Sequence, residues 1–134
     1  MNSPTAVNLL LGTAAQESNM GYYRRQIGGG PAVGIFQMEP NTLCDIWTNY
    51  LRYRPVLDRR MGRLVDDFSP EGLVTSDRYA VIMARLHYRR VKEPFPEPND
   101  IKGLAHYWKD HYNTKKGKGT VEEFIENYKR YVLT

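Results

Sequence analysis

The sequence predicts a mainly α-helical single domain, and three observations carry that expectation. Apolar residues recur at three- and four-residue spacing in successive stretches, helix-capping signals stand ahead of several of them, and no stretch alternates apolar with polar residues as a half-buried strand would. The 134 residues are 41% hydrophobic and 25% charged, which suits one core, and neither a linker nor an internal repeat divides residues 1–134.

Ser3-Pro4 is an N-cap followed by proline at the first helical position, and Val7, Leu10, Leu11, Ala14 and Ala15 then keep helical spacing as far as Glu17. Glu17 is therefore expected near a helix C-terminus. Gly21, the triple Gly28-Gly29-Gly30 and Pro31 cannot propagate that helix, so 18–33 reads as a Gly-rich loop or small hairpin. Asn41 to Arg52 (Leu43, Ile46, Trp47, Tyr50, Leu51) and Pro55 to Val65 (Leu57, Met61, Leu64, Val65) read as helices. Ser69-Pro70-Glu71-Gly72 reads as a breaker, after which Ser76 or Asp77 caps a helix carrying Ala80, Val81, Ala84, Leu86 and Tyr88. The Pro94–Pro98 segment is a stiff connector. Asp100 to Tyr112 forms the next helix, and Thr120 with Glu123 has capping-box spacing ahead of Phe124, Ile125, Tyr128, Tyr131 and Val132.

Composition narrows the function. Nineteen basic against fifteen acidic residues give a net charge of +4, mildly attractive to anionic polymers such as cell wall or nucleic acid. Ten tyrosines suit sugar-binding clefts as well as interfaces. The single cysteine, Cys44, excludes an intrachain disulfide and is read as an inert buried thiol. His106 and His111 are five residues apart, a poor spacing for joint ligation, so neither metal nor cofactor is implied. Lys115, Lys116 and Lys118 lack the phosphate-loop pattern and read as a solvated basic loop. Ala6 to Ala15 imitates a signal-peptide core but lacks a positively charged start, and no run of 18 apolar residues occurs, so neither signal peptide nor membrane insertion is expected.

Glu17 follows an apolar helix, near that helix's negative end and ahead of a loop, where a carboxyl facing a cleft would tend to stay protonated. Position alone favours a solvated glutamate ending a helix. The surrounding motifs favour chemistry. Ala15-Gln16-Glu17-Ser18, then Gly34-Ile35-Phe36-Gln37-Met38-Glu39-Pro40, the alanine-bearing stretch Tyr79-Ala80 with Ala84-Arg85-Leu86-His87-Tyr88, the Ala105 to Asn113 segment ending Tyr112-Asn113, and Glu126-Asn127-Tyr128 through Val132 follow one another across nearly the whole chain. In that order and spacing they resemble the motifs of the lytic transglycosylase and goose-type lysozyme superfamily.

The resemblance implies a lysozyme-like fold of about five to seven helices, with the Gly-rich loop or hairpin beside the cleft. It implies cleavage of the β-1,4 bond between N-acetylmuramic acid and N-acetylglucosamine, with peptidoglycan as partner and Glu17 as catalytic acid. Glu39, standing where the family motif carries methionine, is a second catalytic candidate. Between Glu17 and Glu39 the chain has no Asp or Glu, so the second carboxylate that goose-type enzymes draw from this region is missing. A transglycosylase needs only one carboxyl, because the muramyl 6-hydroxyl attacks the anomeric carbon and leaves a 1,6-anhydro product. Hydrolysis stays open if Glu39 lies roughly 6.5–9.5 Å from Glu17 and activates water; equally, Glu39 is a carboxylate favoured by the start of the next helix.

Four residues are candidates for substrate binding. Gln37 offers a donor and an acceptor for sugar groups, with Gly34 letting the backbone approach. Tyr112 and Asn113 could position substrate, or be a half-buried tyrosine and a helix-ending asparagine. Ser18 binds substrate or bonds its own backbone at the helix end. Glu126 has a family counterpart supporting the catalytic region, whereas Glu123 is explained by the capping box. The expected setting is a monomer made in the cytoplasm and acting at the bacterial wall, as a phage lysis or virion-associated enzyme or a module of a longer polypeptide. The competing readings are a non-catalytic glycan-binding or virion structural domain and a basic nucleic-acid-binding domain resting on pairs such as Arg24-Arg25 and Arg89-Arg90; the leading reading assigns no nucleic acid.

Overall fold

A computed structural model describes residues 3–24, 30–62, 70–113 and 117–133. Seven α-helices, and no strand among the described residues, make the chain mainly α. They are α1 (Pro4–Ser18), α2 (Pro40–Asn49), α3 (Pro55–Gly62), α4 (Gly72–Thr75), α5 (Asp77–Arg89), α6 (Ile101–Trp108) and α7 (Val121–Tyr131). No described helix is long and apolar enough to cross a membrane.

Local chemistry explains most boundaries. The Ser3 side chain accepts from the Ala6 N–H and Pro4 opens α1, while Asn19 closes it in the left-handed region, with φ and ψ both 50°. Ser76 caps α5 through the Tyr79 N–H, Asp100 caps α6 through the Gly103 N–H, and Thr120 with Glu123 forms a full capping box on α7. The expected 41–52 helix stops at Asn49 and tightens into a 3₁₀ turn over Leu51–Tyr53. Arg54 precedes Pro55, whose ring disfavours a helical conformation in the residue before it, and this separates α2 from α3. Leu64 and Val65, expected to extend α3, lie outside the described residues.

The structure adds a helical turn and a bridge to the expected loops and corrects the placement of Cys44. At the end of the breaker a short helical turn, α4, begins at Gly72, anchored by the almost fully buried Leu73. At the end of the expected Gly-rich loop or hairpin a single antiparallel bridge joins Val33 and Met38, while Gly28 and Gly29 lie outside the described residues. Cys44 is exposed: on α2 the core side is taken by Leu43 and Ile46, and its neighbour Cys44 faces out.

Two clusters share the interior. Leu43, Ile46, Leu51, Met61, Leu73 and Met83 build one from α2 to α5. Leu9, Tyr88, Leu104, Trp108, Phe124 and Tyr128 build the other from α1, α5, α6 and α7. Between them Ala80 and Ala84 of α5 meet Ala14 of α1 and Phe36, small side chains that let α5 pack closely beneath the loop after α1. The Thr13 hydroxyl donates to the Leu9 carbonyl and accepts from Tyr88 Oη at 2.7 Å, fastening α1 to α5. Gly12 lets the Phe124 ring lie directly on α1, since a Cβ there would stand 2.4 Å from the ring. The Pro-rich connector is pinned to α1 by Thr5 on the Pro96 carbonyl and Asn8 on the Pro98 carbonyl.

Candidate active site

The last turn of α1, the Ala32–Glu39 turn, His87 of α5, Tyr112 with Asn113, and residues 117–119 surround a cleft of about 680 Å³. Glu17, Gln37, Glu39, Tyr112 and Asn113 all line it, so the fold collects five of the six residues predicted from sequence. Ser18 is the exception. It is buried, donates to the Ile35 carbonyl at 2.6 Å and accepts from the Gly21 N–H at 2.8 Å, which staples the end of α1 to the following turn. Glu126 is exposed on α7 and does not line the cleft; its neighbour Asn127 reaches the site by donating to Gln16 Oε1 at 2.6 Å.

Glu17 is half-buried in the last turn of α1, where the helix end offers no compensating positive potential. One carboxyl oxygen accepts the Trp108 indole N–H at 3.1 Å across 91 residues of sequence. Burial pushes its pKa up from 4.5 to about 7, and the indole N–H opposes the rise only in part. A carboxyl poised there holds its proton in a good fraction of molecules near neutral pH and can release it in a reaction.

The surroundings keep that acid in place. The Tyr112 ring stacks on Tyr88 at 5.3 Å and meets His87 edge-on at 4.9 Å, while its hydroxyl donates to the Phe36 carbonyl at 2.6 Å. Burial, and then the negative charge of Glu17, raises the Tyr112 hydroxyl well above its usual range. His87 is pushed down to about 4, chiefly by burial and then by the Arg90 guanidinium, which lies 2.7 Å from its Nδ1. Neutral His87 therefore accepts from Arg90, and of these two shifted cleft groups only Glu17 changes protonation near neutrality.

Gln37 sits in the left-handed region at φ 48°, and its Nε2 donates to the carbonyls of Gly34 at 2.9 Å and Tyr23 at 3.2 Å. With both amide hydrogens in use, the carboxamide oxygen is what Gln37 offers a ligand, an acceptor without the expected donor. Gly34 also serves differently from the expectation. Its φ is 83°, and a Cβ there would lie 2.1 Å from the Leu73 carbonyl oxygen, so the glycine permits contact with α4. Asn113 accepts from Lys109 Nζ at 2.6 Å through its Oδ1. Glu39 is the exposed N-cap of α2 and makes no side-chain capping bond.

Sequence reasoning missed Trp108, His87, Lys109 and Asn127 as parts of the site. Trp108 carries the ordinary signal of a core residue on an amphipathic helix, and nothing local marks its indole N–H as the partner of Glu17. Lys115 and Lys116 lie outside the described residues, whereas Lys118 is exposed on the cleft rim.

A mainly α domain with one neutral-range carboxyl in a polar cleft is the class that fold and site define. No family model matches the chain, and neither a curated protein nor a solved structure matches it.

Proposed function

We propose that the protein is a peptidoglycan-cleaving glycosidase with a lysozyme-like fold, acting on the β-1,4 bond between N-acetylmuramic acid and N-acetylglucosamine. The observation that carries this reading is the Glu17 carboxyl, held in the cleft with a pKa near 7 and joined to the Trp108 indole. The ordered motifs that resemble lytic transglycosylases and goose-type lysozymes supply the substrate class. In the mechanism, protonated Glu17 gives its proton to the glycosidic oxygen as the bond from that oxygen to muramyl C1 breaks. The resulting carboxylate takes the proton of the muramyl 6-hydroxyl while that oxygen bonds to C1, leaving a 1,6-anhydro end and a protonated Glu17. Gln37 accepts a hydrogen bond from the glycan, Asn113 offers its Nδ2, and the phage or virion setting belongs to the same proposal.

Hydrolysis is a second reading, favoured by one observation: Glu39 lines the same cleft as Glu17 and is exposed to water. Mass spectrometry of muropeptides released from purified wall separates the two. Anhydro-muramyl ends are expected from the wild type and none from Glu17→Gln. Reducing ends, lost in Glu39→Gln, would transfer the second step to water and Glu39. Tight binding to wall with no fragments from the wild type would replace the enzyme by a glycan-binding domain.

A further inference from the structure

Beyond the cleft itself, the ammonium of Lys109 is held by three oxygens. Lys109 opens a wide, π-helical turn, Lys109–Asn113, that continues α6. Its ammonium donates to Asn113 Oδ1 at 2.6 Å, to the Gly117 carbonyl at 3.0 Å and to the Gly119 carbonyl at 2.6 Å. An ammonium has three donors, and all three are used on oxygens that carry no charge. The segment it holds lies on the Glu17 partner: a Cβ at Gly119 would stand 2.7 Å from the Trp108 ring and 3.1 Å from Gln16 Nε2. At the other end of the same segment, a Cβ at Gly117 would collide with the Asn113 amide. Gly117, Gly119 and Asn113 all line the cleft, whereas Lys109 itself does not.

We propose that Lys109 is a positioning residue, tying the 117–119 segment over Trp108 so that the indole N–H stays on Glu17 and water stays away from that carboxyl. This rests on the reading of Glu17 as the site's acid, and it adds a cause for that acid's setting. A point charge with three radiating donors fits three separate oxygens, whereas the planar fork of arginine does not. The other titratable groups facing Glu17 are Tyr88 and His87 from α5 and Tyr112 from the π turn, with Glu39 and Lys118 along the same cleft. The neutral forms of Tyr88, Tyr112 and His87 leave hydration as the lever that Lys109 controls.

The test follows the Trp108 indole N–H resonance and the Glu17 side-chain carboxyl carbon by NMR across pH 4 to 9. These signals require no substrate. In the wild type both report a midpoint near 7. In Lys109→Met the midpoint is expected to move down toward the 4.5 of an open glutamate. Gly119→Ala keeps Lys109 but pushes the segment off the ring, so it is expected to move the midpoint the same way, and it carries the test alone if Lys109→Met does not fold. Lys109→Arg should recover the wild-type midpoint only in part. A midpoint that stays near 7 in the folded variants overturns the role of Lys109. A midpoint that moves in a protein unable to cleave wall overturns the proposed activity and leaves that role standing.

Discussion

The wall of the cleft built from α6 and the 117–119 segment and the wall built from the 32–39 turn differ in construction. On the first, Trp108 is fully buried, Gly119 lies against its ring, and Lys109 holds three oxygens at hydrogen-bonding distance. On the second, the bridge between Val33 and Met38 and the Gln37 amide hold a short turn, with Gly34 and Gln37 at positive φ. The first wall places the Trp108 indole N–H on Glu17, while the second, more open wall offers the Gln37 carboxamide oxygen and the exposed Glu39. Glu17 takes its hydrogen bond from the first wall, whereas Gln37 and Glu39 belong to the second, and substitutions on the two sides should fail in different ways.

Glu17→Gln, where the walls meet, should produce the largest change. Release of wall fragments should fall by about two to four orders of magnitude. Because the folded state keeps a proton on Glu17 between pH 4.5 and about 7 while the unfolded chain has lost it, stability should decline as pH rises through that window. The ionised carboxyl then costs up to about 3 kcal/mol above pH 7. The glutamine variant should therefore melt higher than the wild type at pH 8 and alike at pH 4, a difference calorimetry reads directly.

Trp108→Phe keeps an aromatic ring in the packed wall and removes the indole N–H, without touching the open wall. Loss of the indole N–H, which lowers the Glu17 pKa, should move the alkaline limb of activity upward, and the cavity should cost about 1–3 kcal/mol in chemical denaturation. Gly12→Ala, behind that wall, should cost a similar 1–3 kcal/mol, because the new methyl meets the Phe124 ring, and should leave the pH limb in place. On the open side, Gln37→Ala should raise KM more than it lowers kcat in steady-state assays, by roughly tenfold for a lost acceptor. The smallest effect belongs to Arg24→Ala. Its exposed pair with Asp77 ties the loop after α1 to α5, and its loss should cost less than about 1 kcal/mol and weaken with salt.

The same contrast explains what the sequence revealed. Ser3-Pro4, Ser76 and the Thr120–Glu123 box were legible because a cap is a matter of three or four residues. Glu17 and Gln37 could be picked out because they stand in short motifs, and the fold brings both to one cleft. The bond from Trp108 to Glu17 spans 91 residues and depends on how α6 packs against α1, which periodicity does not encode. Lys109 was hidden for a related reason. Two of its acceptors are carbonyls 8 and 10 residues further on, and a basic residue in a helical pattern ordinarily reads as solvated. Cys44 was misjudged because residue type suggested burial while helix geometry, with Leu43 and Ile46 turned inward, placed it outside.

The most direct test of Glu17 as the working acid is the pH dependence of kcat/KM on purified peptidoglycan, measured for the wild type and Glu17→Gln from pH 4 to 9. The account predicts wild-type activity that falls through an apparent pKa near 7 and a variant lower by about two to four orders of magnitude at the wild-type optimum. Wild-type activity that stays level from pH 5 to 9, or a variant that retains it, would contradict the assignment.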